Sequence, residues 1–167
     1  MVESLQPRTI LEIVTAMGGT LFLLSRYSSS KAQLISMDLL ADDISSRNFD
    51  FYKKIARRRQ SIVFLEGDSH KMFTLQKVKK ILKGRKVELL FIDGDHSYDG
   101  VKKDFMMYSP LVKSGVLICF HDIVSGDPKK VGGVPDFCQE IRENYEIREL
   151  VEDWKQGGYG IGLVFMR

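Results

Sequence analysis

The stretch VELLFIDGDHS, residues 87–97, joins an apolar run to a polar turn. The run spans six residues and is almost continuously apolar, which is typical of a strand buried on both faces of a parallel sheet. The turn begins abruptly at Asp93 and holds Asp95 and His96 within the next three positions. The same succession of apolar run and polar turn recurs on both sides of this stretch.

The apolar runs alternate with amphipathic segments. Strands are predicted at Thr9–Val14, Gln33–Asp38, Ser61–Glu66, Val87–Ile92, Val116–Phe120, Glu146–Val151 and Ile161–Met166. Helices are predicted between them at Thr20–Tyr27, Ser45–Arg59, Met72–Leu82, Val101–Tyr108 and Phe137–Tyr145. Strands that alternate with helices favour an α/β fold with a parallel sheet covered on both faces. The last two strands have no helix between them, which favours an antiparallel hairpin at one edge.

Composition narrows the class of protein. The chain has 167 residues, 44% of them hydrophobic and 28% charged, as expected for one globular domain. Its net charge of +3 is too small to indicate a nucleic-acid or membrane partner, and the basic run Lys53–Arg59 is interpreted as a solvated helix end. Two cysteines form no disulfide framework, and Cys119 is predicted to be a core residue. No run is long enough to cross a bilayer, so a cytoplasmic location is expected.

Polar groups collect at the predicted carboxyl ends of the strands. In open parallel sheets this is the edge at which ligands bind. The groups are Gly18-Gly19, Asp38, Gly67-Asp68-Ser69-His70, Asp93-Gly94-Asp95-His96 and His121-Asp122. All three histidines of the chain lie in these positions. Asp, Ser and Gly favour turns anyway, but the histidines are harder to explain by turn chemistry alone.

Gly18, Gly19 and Asp38 indicate a nucleotide-type ligand. Glycines at a strand-to-helix turn allow close approach of a ligand to the backbone. Asp38 ends a strand about twenty residues later, where such sheets place an acid that binds ribose hydroxyls. A tight turn and a turn-forming aspartate remain the alternative interpretation. The spacing matches neither a phosphate-binding loop nor the dinucleotide motif, which disfavours an NAD-dependent dehydrogenase.

Asp93, Asp95, His96, His121 and Asp122 form the most distinctive cluster. They end two strands that should be neighbours in the sheet. Carboxylates and imidazoles can hold a divalent cation such as Mg²⁺. A histidine can also act as a general base. A hydrogen-bonded network of loop residues is the alternative.

The sequence resembles the class I S-adenosylmethionine-dependent methyltransferases. The resemblance rests chiefly on Phe91–Val101 and on Phe120–Ile123, and within the class it is strongest to the cephalosporin hydroxylase-like or rhamnosyl O-methyltransferase family. Leu11–Thr20, Gly67-Asp68-Ser69 and Gly133–Phe137 also fit. The resemblance implies a Rossmann-like, doubly wound seven-stranded sheet in the order 3-2-1-4-5-7-6, with the last strand antiparallel.

The resemblance also implies roles for individual residues. S-adenosylmethionine is the implied cofactor, with Mg²⁺ as the candidate metal. Its binding residues would be Glu12, Gly18 and Gly19 at the methionine part, Asp38 at the ribose, Asp68 and Ser69 at the adenine, and Asp93. The implied metal ligands are Asp93, His121 and Asp122. Asp93, His96 and His121 are the candidate catalytic residues, with His96 or Asp95 taking the proton of an acceptor hydroxyl.

Two departures from the family pattern shape the expectations. Val14 stands where the first motif normally has glycine, so its side chain could crowd the cofactor. The first strand begins about nine residues from Met1, so we expect residues 1–167 to be a single methyltransferase domain with little or no N-terminal cap. A small-molecule or sugar hydroxyl is the expected acceptor, and a homodimer is one open option. The alternative functions are a metal-dependent hydrolase and a catalytically degenerate cofactor-binding domain.

Overall fold

The computed structural model describes residues 2–39 and 49–166. Its seven strands form one sheet in the order β3-β2-β1-β4-β5-β7-β6, and β7 is antiparallel to both β5 and β6. The strands are β1 Thr9–Ile13, β2 Gln33–Asp38, β3 Ser61–Glu66, β4 Val87–Ile92, β5 Val112–His121, β6 Ile147–Leu150 and β7 Ile161–Phe165. The Rossmann-like sheet order and the antiparallel hairpin expected from the sequence are both confirmed.

Helices lie between most of the strands. They are α1 Val2–Leu5, α2 Gly19–Tyr27, α3 Phe49–Ile55, α4 Met72–Leu82, α5 Tyr98–Tyr108, α6 Pro128–Val131 and α7 Val134–Ile141, with a 3₁₀ turn at Ser109–Leu111. Within the described part of the chain, no helix is long and apolar enough to cross a membrane.

Three of the predicted helices have boundaries that differ from those in the structure. The helix predicted at Ser45–Arg59 ends at Ile55, so Arg57, Arg58 and Arg59 lie in the turn before β3 and not in a helix end. The first part of that prediction, residues 45–48, lies outside the described residues. Helix α5 begins before Val101, because the Ser97 hydroxyl caps it by accepting the amide of Gly100. Helix α7 begins at Val134, with Pro135 in its first turn, and it ends before Tyr145.

Two compact units make up the chain, and the first is Met1–Glu88. Its strands β1, β2 and β3 are parallel, with Leu11 opposite Ile35 and Ile35 opposite Val63. Every residue of β1 is buried, as its apolar run predicted, whereas β3 is half-exposed along most of its length. The polar residues Glu12 and Ser36 are buried inside this apolar sheet. Buried polar groups in strands require hydrogen-bond partners, so Glu12 and Ser36 indicate a polar network near the carboxyl ends of β1 and β2.

The second unit is Leu89–Arg167. Its core contains aromatic rings, with the Phe105 ring centroid 5.8 Å from that of Phe120 and 5.6 Å from that of Phe137. Cys119 is buried in β5, as predicted. The loop after β5 packs closely on the loop before β7, because a Cβ atom added at Gly126 would lie 2.4 Å from the backbone of Gly157. This packing places the loop before β7 beside the end of β5.

Candidate functional site

In the first unit, the loop that follows β1 has an unusual backbone. Val14, Ala16 and Gly18 have φ angles of 69°, 45° and 77°, all in the left-handed region. Glycine adopts this region without steric cost, but a β-branched residue there is a conformational outlier. The structure therefore gives a backbone reason for the glycine that the family motif normally has at the position of Val14.

Asp38 and Tyr52 hold this loop in place. The Asp38 carboxylate accepts one hydrogen bond from the Ala16 amide at 2.9 Å and another from the amide of Leu39, the next residue after Asp38, at 2.7 Å. The Tyr52 hydroxyl donates to the carbonyl of Ala16 at 2.9 Å. A carboxylate offers about four acceptor positions, so binding the loop and binding ribose hydroxyls are compatible roles for Asp38.

Gly18 is required by its surroundings. A Cβ atom at this position would lie 2.5 Å from the ring of Tyr52. That ring stacks on Phe64 with centroids 5.8 Å apart, so it has little freedom to move away. Gly19 is different, because a Cβ atom there would meet nothing within 4 Å. The two glycines of the motif therefore have different roles. Gly18 allows the Tyr52 ring to pack against the backbone, and Gly19 begins helix α2.

Beneath the loop, Glu12, Ser36 and Thr15 form a buried polar chain. The Ser36 hydroxyl donates to Glu12 at 2.5 Å, and the hydroxyls of Ser36 and Thr15 lie 2.5 Å apart. Thr15 also lies 3.3 Å from the carbonyl of Met37, which can accept its proton. These bonds join the ends of β1 and β2 and set the direction of the loop that begins at Val14.

After β3, the turn Gly67-Asp68-Ser69 leads into helix α4. Asp68 accepts the amide of His70 at 2.8 Å and lies 3.7 Å from the Lys71 ammonium group. A Cβ atom at Gly67 would lie 2.8 Å from the Thr74 hydroxyl, so this turn packs tightly on the helix. His70 thus lies in a helix-entry turn of the first unit.

In the second unit, Asp93, His96, His121 and Asp122 lie together. Asp93 Oδ1 is 3.1 Å from His96 Nε2 and 3.2 Å from His121 Nδ1. Asp122 lies 3.5 Å from His96 Nδ1 and 3.4 Å from His121 Nδ1. The structure therefore brings together the two carboxylates and two imidazoles that the sequence placed after β4 and β5. We call these four residues the Asp–His centre.

The charged groups of the Asp–His centre shift one another's pKa values. The hydrogen bond to Asp93 outweighs partial burial and raises the pKa of His96 to about 9. The same carboxylate raises the pKa of His121. Burial by itself raises the pKa of Asp93, but hydrogen bonds from His121 and His96 prevail and keep that pKa below its usual value. In the absence of a metal, the centre therefore favours an ionised Asp93 beside imidazoles that retain their protons more readily than a free histidine does.

Backbone groups fix the orientation of two members of the centre. His96 Nδ1 donates to the carbonyl of Lys130 at 2.5 Å, which leaves Nε2 directed at Asp93. Asp122, with a left-handed φ of 60°, accepts the amide of Tyr159 at 2.8 Å. The Tyr159 ring lies edge-on to His121, with centroids 6.3 Å apart. Lys130 and Tyr159 thus act as supports that the sequence did not single out.

Asp95 lies outside the Asp–His centre. Its carboxylate accepts the amide of Ser97 at 2.9 Å, and a Cβ atom at Gly100 would collide with it. Asp95 therefore shapes the entry to α5, which is the ordinary turn role of an aspartate. This placement favours the histidines over Asp95 as proton acceptors.

The donor set fits a divalent cation. Asp93, His96 and Asp122 each offer a ligand atom, and these atoms all lie within 4.8 Å of one another. Two carboxylate oxygens and one imidazole suit Mg²⁺ or Mn²⁺. The Lys130 carbonyl supplies the outer hydrogen bond that ligating histidines commonly have. The expected set of Asp93, His121 and Asp122 differs by one histidine, and the choice between His96 and His121 stays a prediction.

The chain belongs to the family described as rhamnosyl O-methyltransferase/CmcI, whose sequence profile matches residues 1–155. This confirms the class expected from the motif that begins at Phe91, an S-adenosylmethionine-dependent O-methyltransferase acting on a small-molecule acceptor. It also decides against the hydrolase hypothesis. A search of curated proteins found no match.

Solved structures share the fold. An O-methyltransferase from Bacillus cereus in complex with SAH aligns over 99% of this chain and 77% of its own, with a TM-score of 0.75 at 21% identity. A putative O-methyltransferase from Klebsiella pneumoniae aligns over 99% and 76%, with a TM-score of 0.74 at 21% identity. TomG from Streptomyces achromogenes, an O-methyltransferase involved in tomaymycin synthesis and bound to SAM, aligns over 99% and 75%, with a TM-score of 0.75 at 15% identity.

Besides Lys130, sequence reasoning missed Ser36, Tyr52 and Tyr159 as supports of the site, and one of these three left a signal. Ser36 stands alone as a hydroxyl residue in the buried run QLISMD, and such a residue needs a partner. Tyr52 lies within the helix predicted at Ser45–Arg59, and its contact with Gly18 depends on the packing of α3. Tyr159 lies in a glycine-rich turn whose path no local pattern predicts.

Proposed function

We propose that this chain transfers the methyl group of S-adenosylmethionine to a hydroxyl of a sugar or other small molecule, and that the Asp–His centre binds and activates that hydroxyl. The observation that carries the proposal is the convergence of Asp93, His96, His121 and Asp122 within hydrogen-bond or ion-pair distance of one another. Two carboxylates and two imidazoles are seldom gathered at one partly buried place for structural reasons alone.

For the cofactor, the supporting residues are those around the loop after β1. S-adenosylmethionine supplies an electrophilic methyl group when it is bound. Glu12, Gly18, Gly19 and Asp38 would contact its methionine and ribose parts, and Asp68 and Ser69 would border its adenine. The fit is favoured by the pinned loop, whose Ala16 amide and carbonyl are already bound to Asp38 and Tyr52. A preformed loop lowers the entropy cost of binding a ligand.

For the acceptor, the Asp–His centre would provide orientation and a proton acceptor. A divalent cation held by Asp93, Asp122 and one histidine would lower the pKa of a bound hydroxyl. Asp93 and Asp122 would orient the hydroxyl, and an imidazole in its neutral form would accept the proton. Attack on a sulfonium methyl must be in line, so fixing the acceptor oxygen supplies much of the rate enhancement.

Three further expectations belong to this proposal. We treat residues 1–167 as one functional domain, because one family profile matches residues 1–155, which include parts of both units. A cytoplasmic location is supported by two free, buried cysteines, which fit a reducing compartment. A homodimer stays an open option that sedimentation analysis would decide.

Titration calorimetry with S-adenosylmethionine and S-adenosylhomocysteine tests the cofactor half of the proposal. Binding in the micromolar range is expected, and no heat up to millimolar cofactor would contradict it. The acceptor half is tested by measuring S-adenosylhomocysteine release on a panel of sugars, catechols and simple phenols, with and without Mg²⁺. Cofactor binding without release on any acceptor, in full-length wild-type protein, would favour the degenerate-domain alternative.

A further inference from the structure

Charge is distributed unevenly along the chain. Residues 1–88 contain 16 Lys and Arg against 9 Asp and Glu, a formal charge of +7, whereas residues 89–167 contain 9 against 13, a charge of −4. The small net charge of the whole protein therefore conceals a strongly basic first unit. Such asymmetry between the halves of a chain indicates an anionic partner for the basic half.

The basic residues of the first unit concentrate in the turns that precede its strands. Four turns, residues 6–8, 28–32, 56–60 and 83–86, lead into β1, β2, β3 and β4, and they contain no Asp or Glu. Their exposed cations include Arg8, Lys31, Arg58, Arg59 and Lys83. We call these five residues the basic edge.

Hydrogen bonds show that the turns of the basic edge lie side by side. The amide of Gln33 donates to the carbonyl of Arg8 at 2.8 Å, and the amide of Ser61 donates to that of Ala32 at 3.0 Å. The Arg85 guanidinium group donates to the Gln33 side chain at 2.6 Å. The amino ends of the strands of the first unit therefore bring these cations to one face, where the Glu88 carboxylate also bonds to one of the turns by accepting the amide of Arg8 at 2.6 Å.

Two nearby arginines have evident structural roles, and the basic edge does not need them. Arg57 donates to the carbonyl of Ser28, and Arg85 donates to the carbonyl of Leu82 at the end of α4. Cations commonly stabilise helix ends in this way. Arg58 and Arg59 follow Arg57 directly, yet their side chains are exposed to solvent.

Apolar side chains flank the basic edge. The Leu5 side chain is 41% exposed and the Tyr27 side chain is 48% exposed, although both are large and mainly apolar. They lie close to the turns, because the Gln6 side chain reaches the carbonyl of Tyr27 at 3.5 Å and the amide of Ser29 donates to the carbonyl of Pro7 at 3.1 Å. Exposed cations beside a protruding leucine and tyrosine are typical of a surface that lies on a lipid headgroup layer.

We propose that the basic edge docks the protein on an anionic lipid surface, with Leu5 and Tyr27 entering the headgroup region. The inference does not depend on the proposed function, since none of these residues belongs to the cofactor loop or the Asp–His centre. It refines the expectation of no membrane partner, which was based on net charge and on the absence of a long apolar run. The four turns contain no aromatic residue between their cations, so they lack the stacking platforms of single-stranded nucleic-acid sites.

Co-sedimentation with lipid vesicles tests the proposal. We expect binding to phosphatidylcholine vesicles that carry about a third phosphatidylserine, little binding to pure phosphatidylcholine, and weakening as salt is raised. The double variant R58E/R59E should bind at least about tenfold more weakly. The matched control K103E/K155E makes the same change in net charge at exposed residues of the second unit, and it should stay within about twofold of wild type.

Further variants and a second probe make the test decisive. The variant L5S/Y27S should weaken vesicle binding at constant charge. Thermal unfolding checks that each variant is folded, and K31E/K83E replaces R58E/R59E if the latter is not. Failure of the wild type to prefer anionic vesicles, or equal losses in the control, would overturn the proposal. Tighter binding to a short DNA duplex than to anionic vesicles at equal salt would overturn it in favour of nucleic acid.

Discussion

The loop after β1 and the Asp–His centre are stabilised by different kinds of interaction. The loop is held by hydrogen bonds at Ala16, whose amide donates to Asp38 and whose carbonyl accepts from Tyr52. The centre is held by contacts between charged side chains around Asp93. The loop also has left-handed residues that are not glycine, so it contains conformational strain that the centre largely lacks.

The two regions should therefore respond differently to perturbation. A backbone-pinned loop depends on side-chain volume and on φ, so it should be sensitive to glycine and alanine substitutions. A charge cluster depends on protonation and on the identity of each ionisable group, so it should be sensitive to isosteric charge removal and to pH. Each prediction below tests one half of this contrast.

The largest effect is expected for Asp93→Asn. Removing this charge deprives both histidines of their shared partner and any metal of a ligand, so S-adenosylhomocysteine release on an accepted substrate should fall by about 10²–10³-fold. The control Asp99→Asn alters an exposed acid in the first turn of α5 and should leave turnover almost unchanged. If calorimetry showed that cofactor affinity fell in parallel with turnover, Asp93 would act through the cofactor and not through the acceptor.

Next in size is Gly18→Ala. The new Cβ atom would meet the Tyr52 ring at a left-handed φ of 77°, so the free energy of unfolding should fall by about 1–3 kcal/mol. Urea denaturation measures this change. Gly19→Ala is the matched control, since a Cβ atom has open space there, and it should change stability by no more than about 0.5 kcal/mol. Equal losses in both variants would contradict the role assigned to Tyr52.

A smaller, opposite effect is expected for Val14→Gly. Relief of the left-handed strain at φ 69° is worth about 1–2 kcal/mol, and the added freedom of glycine in the unfolded chain offsets about half of it. A net gain below about 1 kcal/mol is therefore expected, together with tighter binding of S-adenosylmethionine. Ala16→Gly, at an exposed unbranched residue of the same loop, should gain less. Unchanged cofactor affinity in V14G would show that Val14 does not crowd the cofactor.

The smallest effect is a pH dependence of stability that belongs to the Asp–His centre. The raised pKa values of His96 and His121 stabilise the fold fully below their ordinary value near 6.5, and the His96 contribution is lost as pH rises through about 9. The lowered pKa of Asp93 stabilises the fold above its ordinary value near 3.8, and this contribution is lost as pH falls further. With a chelator present, unfolding free energies of wild type should exceed those of D93N most between these limits. A difference that did not shrink below pH ~3.8 or above pH ~9 would contradict the charge coupling.

The fold was predictable because its signals are local. Apolar runs of strand length, such as the one ending at Ile92, are separated by helices with regular periodicity, and this succession favours one sheet topology. The predicted helix boundaries were wrong where a capping residue or a turn determines the end of the helix. Ser97 begins α5 earlier than apolar periodicity indicates, and α3 ends at Ile55 although helix-compatible arginines follow.

The members of the Asp–His centre were also predictable, but their geometry was not. Parallel strands carry their carboxyl ends to one edge, so residues after β4 and β5 had to be close. The Lys130 carbonyl accepts a hydrogen bond from His96 and so fixes the orientation of its ring. The choice between His96 and His121 as a metal ligand therefore depends on the path of the loop that contains Lys130. That path is set by packing between residues distant in sequence.

By itself, then, the sequence determined the order of strands and helices, the sheet topology, the enzyme class, and the edge at which the chemistry collects. These follow from periodicity and from a motif, which are properties of neighbouring residues. Only the tertiary structure decided that Tyr52 covers Gly18, that Val14 has a left-handed backbone, and that Arg8, Lys31 and Arg58 share one face. These features arise from contacts between residues far apart in the chain, and local sequence patterns carry no record of such contacts.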